Sequence, residues 1–147
     1  MEKSTPKQIY INLIVKDLEK ATKFYEAIGF TKNKMFSGPT ASAMAWSENT
    51  IFMLLAEEFA KNFNDGKEFV DQKKTVSAFY ALSLESRQEV DEFCKNAKLA
   101  GGRLYENDFN KKVAGDFMYT FEVEDLDGYI LEPGFMDFSK FPTQSLS

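Results

Sequence analysis

Hydrophobic and polar residues alternate in the first ordered segment and then recur at helical spacing. Residues 8–15 are rich in Ile, Tyr and Val, which predicts a β-strand with Tyr10 and Asn12 on one face. Asp17 stands at the N-cap of a predicted helix, and Gly29 is placed to end that helix. Three further strands are predicted after it, at residues 31–36, 40–46 and 51–56.

The second half of the chain repeats this order of elements. A strand is predicted at residues 77–84, and Ser86 with Glu89 then forms the S-x-x-E pattern of a capping box at a helix start. Gly101 follows the predicted helix. The last predicted strands are residues 103–106, 117–123 and 129–134. The shared order predicts a duplication of two βαβββ modules, whose curved sheets pair around a cleft.

The length and composition fit one globular domain built from these two modules. The chain has 147 residues, of which 44% are hydrophobic and 28% charged, as in ordinary globular proteins. We expect a single α+β domain with modules at residues 8–57 and 77–136. The linker, residues 58–76, is charged, contains Asn64-Asp65-Gly66 and is expected to include a short helix.

Charge, hydropathy and cysteine content argue against some partners and locations of the protein. The net charge of −5 disfavours nucleic acid, because phosphate binding requires a basic surface. No apolar run approaches the roughly 20 residues that span a bilayer, so no membrane partner is expected. The single cysteine, Cys94, excludes an internal disulfide and favours a cytoplasmic location. It lies in a helical apolar stripe and is predicted to be a core residue.

The sequence contains no histidine. This removes the commonest transition-metal ligand and the commonest general base. Ser-His-Asp hydrolysis and His-based metal sites are therefore excluded.

Two motifs carry a family resemblance. Residues 10–30, which contain Val15-Lys16-Asp17-Leu18, Phe24-Tyr25 and Ile28-Gly29-Phe30, resemble an N-terminal signature V-x-D-L, F-Y, L-G-F. Residues 124–132, which begin Glu124-Asp125-Leu126-Asp127-Gly128 and end at Glu132, resemble the signature E-D-P-D-G-x-x-x-E. Both signatures are those of the vicinal oxygen chelate superfamily, which contains glyoxalases, bleomycin-resistance proteins and extradiol dioxygenases, and the chain resembles this superfamily. The resemblance implies paired βαβββ modules and a homodimer.

The resemblance also implies where a metal would be held. Metal-dependent members of this family bind a divalent ion with His and Glu from the inner faces of four strands. These positions fall on Tyr10, Met53 or Leu54, Phe79 and Glu132 of this chain. Only Glu132 is a ligand-type side chain, so we expect no metal cofactor.

Three other acidic residues are predicted to be structural. Asp17, Asp125 and Asp127 occupy cap and turn positions, where such side chains bind nearby backbone N–H groups.

A cleft between the modules would have a mostly aromatic and apolar lining. The inward positions are Tyr10, Asn12, Met53, Phe79, Ala81 and Glu132, with Trp46, Tyr80, Met118, Tyr119 and Phe135 as further candidates. Residues 108–115, with Lys111-Lys112, are predicted to form a flap. Alternatively, the aromatic residues only fill the core, and Glu132 is hydrogen-bonded by Asn12 or Tyr10.

Three functional classes follow from this lining. The first is a binding module that takes a small, partly hydrophobic or aromatic molecule without a metal. The second is an enzyme with Glu132 as its catalytic acid or base, assisted by Tyr10 or Tyr119. The third is a metal enzyme with an atypical oxygen-rich site that includes Glu132.

Overall fold

The computed structural model describes residues 5–106 and 116–140. The chain folds as two compact units. The units are Met1–Val70 and Asp71–Ser147, and the border between them falls inside the predicted linker, residues 58–76. The predicted flap, residues 108–115, lies outside the described residues. The pairing of the two modules around a common cleft stays a prediction.

The first unit is a four-stranded mixed sheet with a helix on one face. Its strands lie in the order β1-β4-β3-β2, with β1 parallel to β4 and the other pairs antiparallel. Its elements are β1 (Ile9–Val15), α1 (Leu18–Ala27), β2 (Thr31–Asn33), β3 (Ala41–Ser47), β4 (Thr50–Ala56) and α2 (Glu57–Ala60). Strand β2 is shorter than predicted, because the Asn33 side chain accepts a hydrogen bond from the Met35 N–H and starts a 3-10 turn.

Helix α1 begins where its cap predicts. The Asp17 carboxylate accepts a hydrogen bond from the Lys20 N–H at 3.1 Å, which satisfies one of the free donors of the first turn. The buried face of α1 packs on the sheet, where the Tyr25 ring lies 5.0 Å from that of Phe30, edge to face. This packing forms the core of the first unit and leaves the opposite face of its sheet uncovered by α1.

The second unit repeats the same topology. Its strands follow the order β5-β9-β8-β6, with β7 also paired to β9 and with β5 parallel to β9. Its elements are β5 (Phe79–Ser83), α3 (Arg87–Leu99), β6 (Arg103–Leu104), β7 (Met118–Thr120), β8 (Val123–Glu124) and β9 (Ile130–Met136). The predicted α+β fold with two βαβββ units is confirmed. Asn12 pairs with Met53, and Ala81 pairs with Glu132 at the equivalent position.

One predicted strand, residues 117–123, is divided into β7 and β8. The Phe121 N–H donates to the Pro133 carbonyl of β9 at 3.2 Å. Pro133 has no N–H with which to return a bond, so the ladder is interrupted at this point.

Local hydrogen bonds define the start of α3 as predicted. The Ser86 hydroxyl accepts from the Glu89 N–H at 3.1 Å, and the Glu89 carboxylate accepts from the Glu85 N–H at 2.7 Å. Cys94 is buried on the inner face of this helix, as predicted, and burial raises the pKa of its thiol to about 11. A thiol with so high a pKa remains protonated and unreactive at neutral pH.

Asp125 organises the turn before β9. Its buried carboxylate accepts hydrogen bonds from the Asp127 and Tyr129 N–H groups, each at 2.9 Å. The predicted structural role of this acidic turn is confirmed. In the described parts of both units, no helix is long and apolar enough to cross a bilayer.

Candidate functional site

The face of the first sheet that α1 leaves uncovered is apolar apart from a few small polar groups. Side chains alternate along a strand, so the residues in register with Asn12 and Met53 share this face. We call this surface the first open face. It carries Tyr10, Asn12, Ile14, Ala41, Ala43, Ala45, Ile51, Met53 and Leu55.

A cavity of about 630 Å³ lies on the first open face. The segment after β4, residues 57–69, forms its other wall, and we call this segment the aromatic arm. The Phe59 and Phe63 rings meet edge to face with centroids 5.3 Å apart. The lining residues are Asn12, Ile14, Ala41, Met53, Leu55, Phe59, Ala60, Phe63, Asn64 and Phe69. None of these side chains is charged.

A tight turn shapes the aromatic arm. Asp65 and Gly66 both have positive φ, at 49° and 76°, and the Asn64 side-chain amide donates to the Lys67 carbonyl. These contacts turn the chain back after Phe63, so that Phe69 also reaches the cavity. From the sequence, residues 58–76 were predicted only as a charged linker with a short helix, and the aromatic residues on either side of Asn64-Asp65-Gly66 were not predicted to line a site. Phe59, Phe63 and Phe69 are spaced four and six residues apart, and this spacing is the signal that the sequence offers.

The second sheet has a corresponding open face with a different character. A cavity of about 500 Å³ is lined by Ala81, Leu82, Ser83, Leu84, Met118, Thr120, Glu132, Gly134, Met136 and Phe138. Glu132 is the only acidic residue among them. Met118 and Glu132 were both predicted as site residues, and the structure brings them together in this cavity.

The Glu132 carboxyl has a neighbour that sequence analysis did not identify. Burial raises the pKa of Glu132 above its ordinary value, and the nearby Glu122 carboxyl raises it further by charge repulsion and by a hydrogen bond. The predicted partners were Asn12 and Tyr10. The Tyr10 hydroxyl donates to Gln8 Oε1 at 2.7 Å, and a contact of Glu132 with Asn12 or Tyr10 stays a prediction. Glu124 pairs with Ile130 in the antiparallel pair of β8 and β9. Two residues before Glu124 and two residues after Ile130, the same register places Glu122 opposite Glu132.

Two predicted site residues, Trp46 and Tyr119, lie on the covered faces of their sheets. The Trp46 ring packs 5.1 Å from Phe30 in the core of the first unit. The Tyr119 hydroxyl donates to Asp91 of α3 at 2.6 Å, and this bond, together with burial and the charge of Asp91, raises the pKa of Tyr119 to about 12. The structure therefore corrects their placement, since neighbours along a strand point to opposite faces.

The further candidates Tyr80 and Phe135 are also on the covered face of the second sheet. Tyr80 is in register with the fully buried Leu131, and Phe135 is in register with Tyr119. Neither Tyr80 nor Phe135 lines the cavity of the second unit.

Tyr10 and Phe79 lie at equivalent positions at the start of β1 and β5. They are 54% and 60% exposed and pair with Ile51 and Ile130. Neither is among the residues that line the cavity of its own unit.

The four positions that the family resemblance implies for a metal carry Tyr10, Met53, Phe79 and Glu132. A divalent ion in an oxygen-rich site requires several hard donors, and this set offers one carboxylate. In the described part of the chain, no three His, Cys, Asp or Glu side chains are grouped so that they could hold a metal ion. The residues at these positions do not fit a divalent ion.

Two open-faced βαβββ units, each with a cavity, define an α+β protein of duplicated modules. The sequence profile of the Glyoxalase/Bleomycin resistance protein/Dioxygenase superfamily matches residues 7–132. The chain belongs to this superfamily. No protein with a curated description matches the sequence.

Solved structures show the same fold at low sequence identity. A hypothetical protein, SA1046, from S. aureus has 22% identity and a TM-score of 0.70, covering 90% of this chain and 95% of its own. A glyoxalase/bleomycin resistance protein/dioxygenase family enzyme from Burkholderia phytofirmans PsJN has 15% identity and a TM-score of 0.68, covering 87% and 97%. A glyoxalase-related enzyme from Fulvimarina pelagi has 19% identity and a TM-score of 0.66, covering 89% and 88%.

Proposed function

We propose that this chain binds a small, partly hydrophobic or aromatic molecule in the cavity of its first unit, without a catalytic metal. The observation that carries the proposal is the cavity of about 630 Å³ between the first open face and the aromatic arm. Its size falls within the range of small-molecule sites, and its apolar lining with a few polar groups is typical of them. Burial of apolar ligand surface there supplies the driving force for binding.

The chemistry of the implied metal positions supports a metal-free mode of binding. Met53 lines the cavity at one of these positions, and its thioether is a poor ligand for hard divalent ions. An apolar ligand can contact this side chain directly, because methionine adapts its shape to irregular surfaces. We also propose, from the family resemblance, that the chain forms a homodimer.

Titration with N-phenyl-1-naphthylamine, a neutral fluorescent probe, tests this proposal. We expect saturable binding of one probe per chain, with the same dissociation constant before and after treatment with EDTA. Selective ¹³C labelling of methionine methyl groups locates the probe, because Met53 lines the first cavity whereas Met118 and Met136 line the second. The Met53 methyl signal is expected to shift most.

Each other outcome contradicts part of the proposal. Absence of saturation would remove the binding function. Shifts confined to Met118 and Met136 would move the site to the second unit. Loss of binding after EDTA, restored by a divalent ion, would restore a metal-dependent site.

A second candidate function is an enzyme that uses Glu132 as its acid or base. The observation in its favour is the neighbouring Glu122 carboxyl, which adds to the effect of burial and raises the pKa of Glu132. A carboxyl whose pKa is moved towards neutrality can exchange protons with a substrate at working pH. Ser83 and Thr120, which line the same cavity, add hydroxyl groups to this site.

The raised pKa of Glu132 predicts a defined effect of pH on stability. A group whose pKa is higher in the folded than in the unfolded state stabilises the fold below its ordinary value of 4.5. That stabilisation is lost as the pH rises through the folded-state pKa. Between about pH 4 and pH 7, the free energy of unfolding of Glu132→Gln should therefore increase relative to the original chain.

Urea unfolding at both pH values measures this difference, and a carboxyl ¹³C titration gives the pKa of Glu132 directly. Glu122→Gln is the matched variant, because it removes the repulsion and leaves the burial of Glu132. We expect it to lower the pKa of Glu132 towards the ordinary value. A Glu132 carboxyl that titrates normally in the original chain would eliminate the acid–base function.

A further inference from the structure

We propose that the cavity of the first unit selects uncharged ligands and that Asn12 is the residue that anchors them by a hydrogen bond. This inference rests on the proposed binding function and names the class of ligand. The ligand is a flat, neutral aromatic molecule with a hydroxyl or carbonyl group. The inference has two parts, the exclusion of charged ligands and the recognition of a polar group by the Asn12 amide, and different residues support each part.

Exclusion of charge follows from the lining and its surroundings. None of the ten lining side chains is ionised, so a charged ligand would lose hydration without gaining a counter-charge. All charged residues of the aromatic arm are exposed, namely Glu57, Glu58, Lys61, Asp65, Lys67 and Glu68. Lys61 is moreover paired with Glu58 at 2.7 Å.

Asn12 is the polar group in this lining that is available to a ligand. It lies on β1 beside Met53, and both side chains line the cavity. Within the described residues of the first unit, no hydrogen bond engages the Asn12 side-chain amide. The other amide of the lining, that of Asn64, already donates to the Lys67 carbonyl. An amide both donates and accepts, so Asn12 can bind either a hydroxyl or a carbonyl group.

The preference for a flat ring follows from the two walls of the cavity. The aromatic arm presents Phe59, Phe63 and Phe69, whereas the sheet presents aliphatic side chains and the small Ala41. Phe63 is 69% exposed, so part of its ring surface is free to be buried by a ligand. Aromatic rings associate by offset stacking or by edge-to-face contact, and both arrangements suit a planar ligand between these walls.

A matched set of naphthalene probes tests the inference. The probes are naphthalene, 2-naphthol, 2-naphthoate and 2-naphthylmethylammonium, each titrated at neutral pH with the Met53 methyl signal as the readout. We expect 2-naphthol to bind about three- to tenfold more tightly than naphthalene, as one net hydrogen bond provides. Both charged probes should bind at least about tenfold more weakly than 2-naphthol.

Two variants of Asn12 separate its role from the shape of the cavity. In Asn12→Leu the advantage of 2-naphthol over naphthalene should disappear, measured as the ratio of the two dissociation constants within that variant. Asn12→Asp, which has the same shape and a negative charge, should bind the ammonium probe at least about tenfold more tightly than the carboxylate probe. Circular dichroism of both variants verifies that the fold is retained.

The possible failures are distinguishable. If no probe shifts Met53, the proposed binding function itself is wrong. If a charged probe binds as tightly as 2-naphthol, binding stands and the exclusion of charge is wrong. If 2-naphthol keeps its advantage in Asn12→Leu, the assignment of Asn12 as the anchor is wrong.

Discussion

Replacement of Gly128 by alanine is expected to lower the free energy of unfolding by at least ~3 kcal/mol, through backbone strain and a steric clash together. Gly128 has a φ of 101°, in the region that side chains rarely adopt. A Cβ atom at this position would lie 2.6 Å from both Gln72 C and Lys73 N. These neighbours are backbone atoms, which cannot move aside as the end of a flexible side chain can.

Two other glycines serve as matched controls for the Gly128 prediction. Gly66 also has a positive φ, 76°, but a Cβ there meets nothing within 4 Å. Gly66→Ala should therefore cost only the conformational part, about 1 kcal/mol. Gly38 has neither a positive φ nor a close neighbour, so Gly38→Ala should be almost neutral. Urea unfolding of the three variants gives the comparison.

A particular result would contradict this account. If Gly128→Ala lowered the free energy of unfolding no more than Gly66→Ala does, the backbone of residues 72–73 would not clash with a Cβ atom at position 128. The glycine of the E-D-L-D-G motif would then be required only for its φ angle.

Replacement of Ala41 by tryptophan is expected to weaken binding of N-phenyl-1-naphthylamine by about 100-fold or more. Ala41 lies on the first open face, pairs with Leu55 and lines the cavity. The indole would occupy the space that the ligand needs. The apolar surface of the cavity would then be covered by the indole, and the ligand could no longer be buried against it. The fold should persist, because Ala41 is only half-buried.

Ala45→Trp is the matched control for this cavity-filling variant. Ala45 is on the same strand and the same face and is similarly half-buried, but it pairs with Ile51 and does not line the cavity. Binding by Ala45→Trp should equal that of the original chain. Unchanged binding by Ala41→Trp, measured by fluorescence titration, would show that the ligand lies elsewhere.

Together these predictions separate the requirements of the fold from those of the site. The first predicts that Gly128 is needed to form the turn before β9, and the second predicts that Ala41 leaves room for the proposed ligand on a sheet that is already formed. The variant Asn12→Asp then tests chemistry at a position where neither the turn nor the side-chain volume changes.

The amino-acid sequence by itself determined the elements whose signals are local. Asp17 and Ser86 bind N–H groups three residues ahead, so the starts of α1 and α3 were predictable from short patterns. The alternation of apolar residues and the repeated order of elements similarly indicated two βαβββ units. The family resemblance further implied four metal positions, of which only Glu132 is a ligand-type side chain, and the absence of a metal cofactor stays a prediction.

Tertiary structure decided the features that depend on pairing between distant residues. Pro133 divides the strand opposite it into β7 and β8, and Glu122 becomes the neighbour of Glu132, only because the strands pair in one register. Trp46 and Tyr119 were assigned to the wrong faces because a shift of one residue along a strand reverses the side-chain direction. The aromatic arm forms a wall because the turn at residues 64–66 returns the chain to the sheet, which no local pattern specifies.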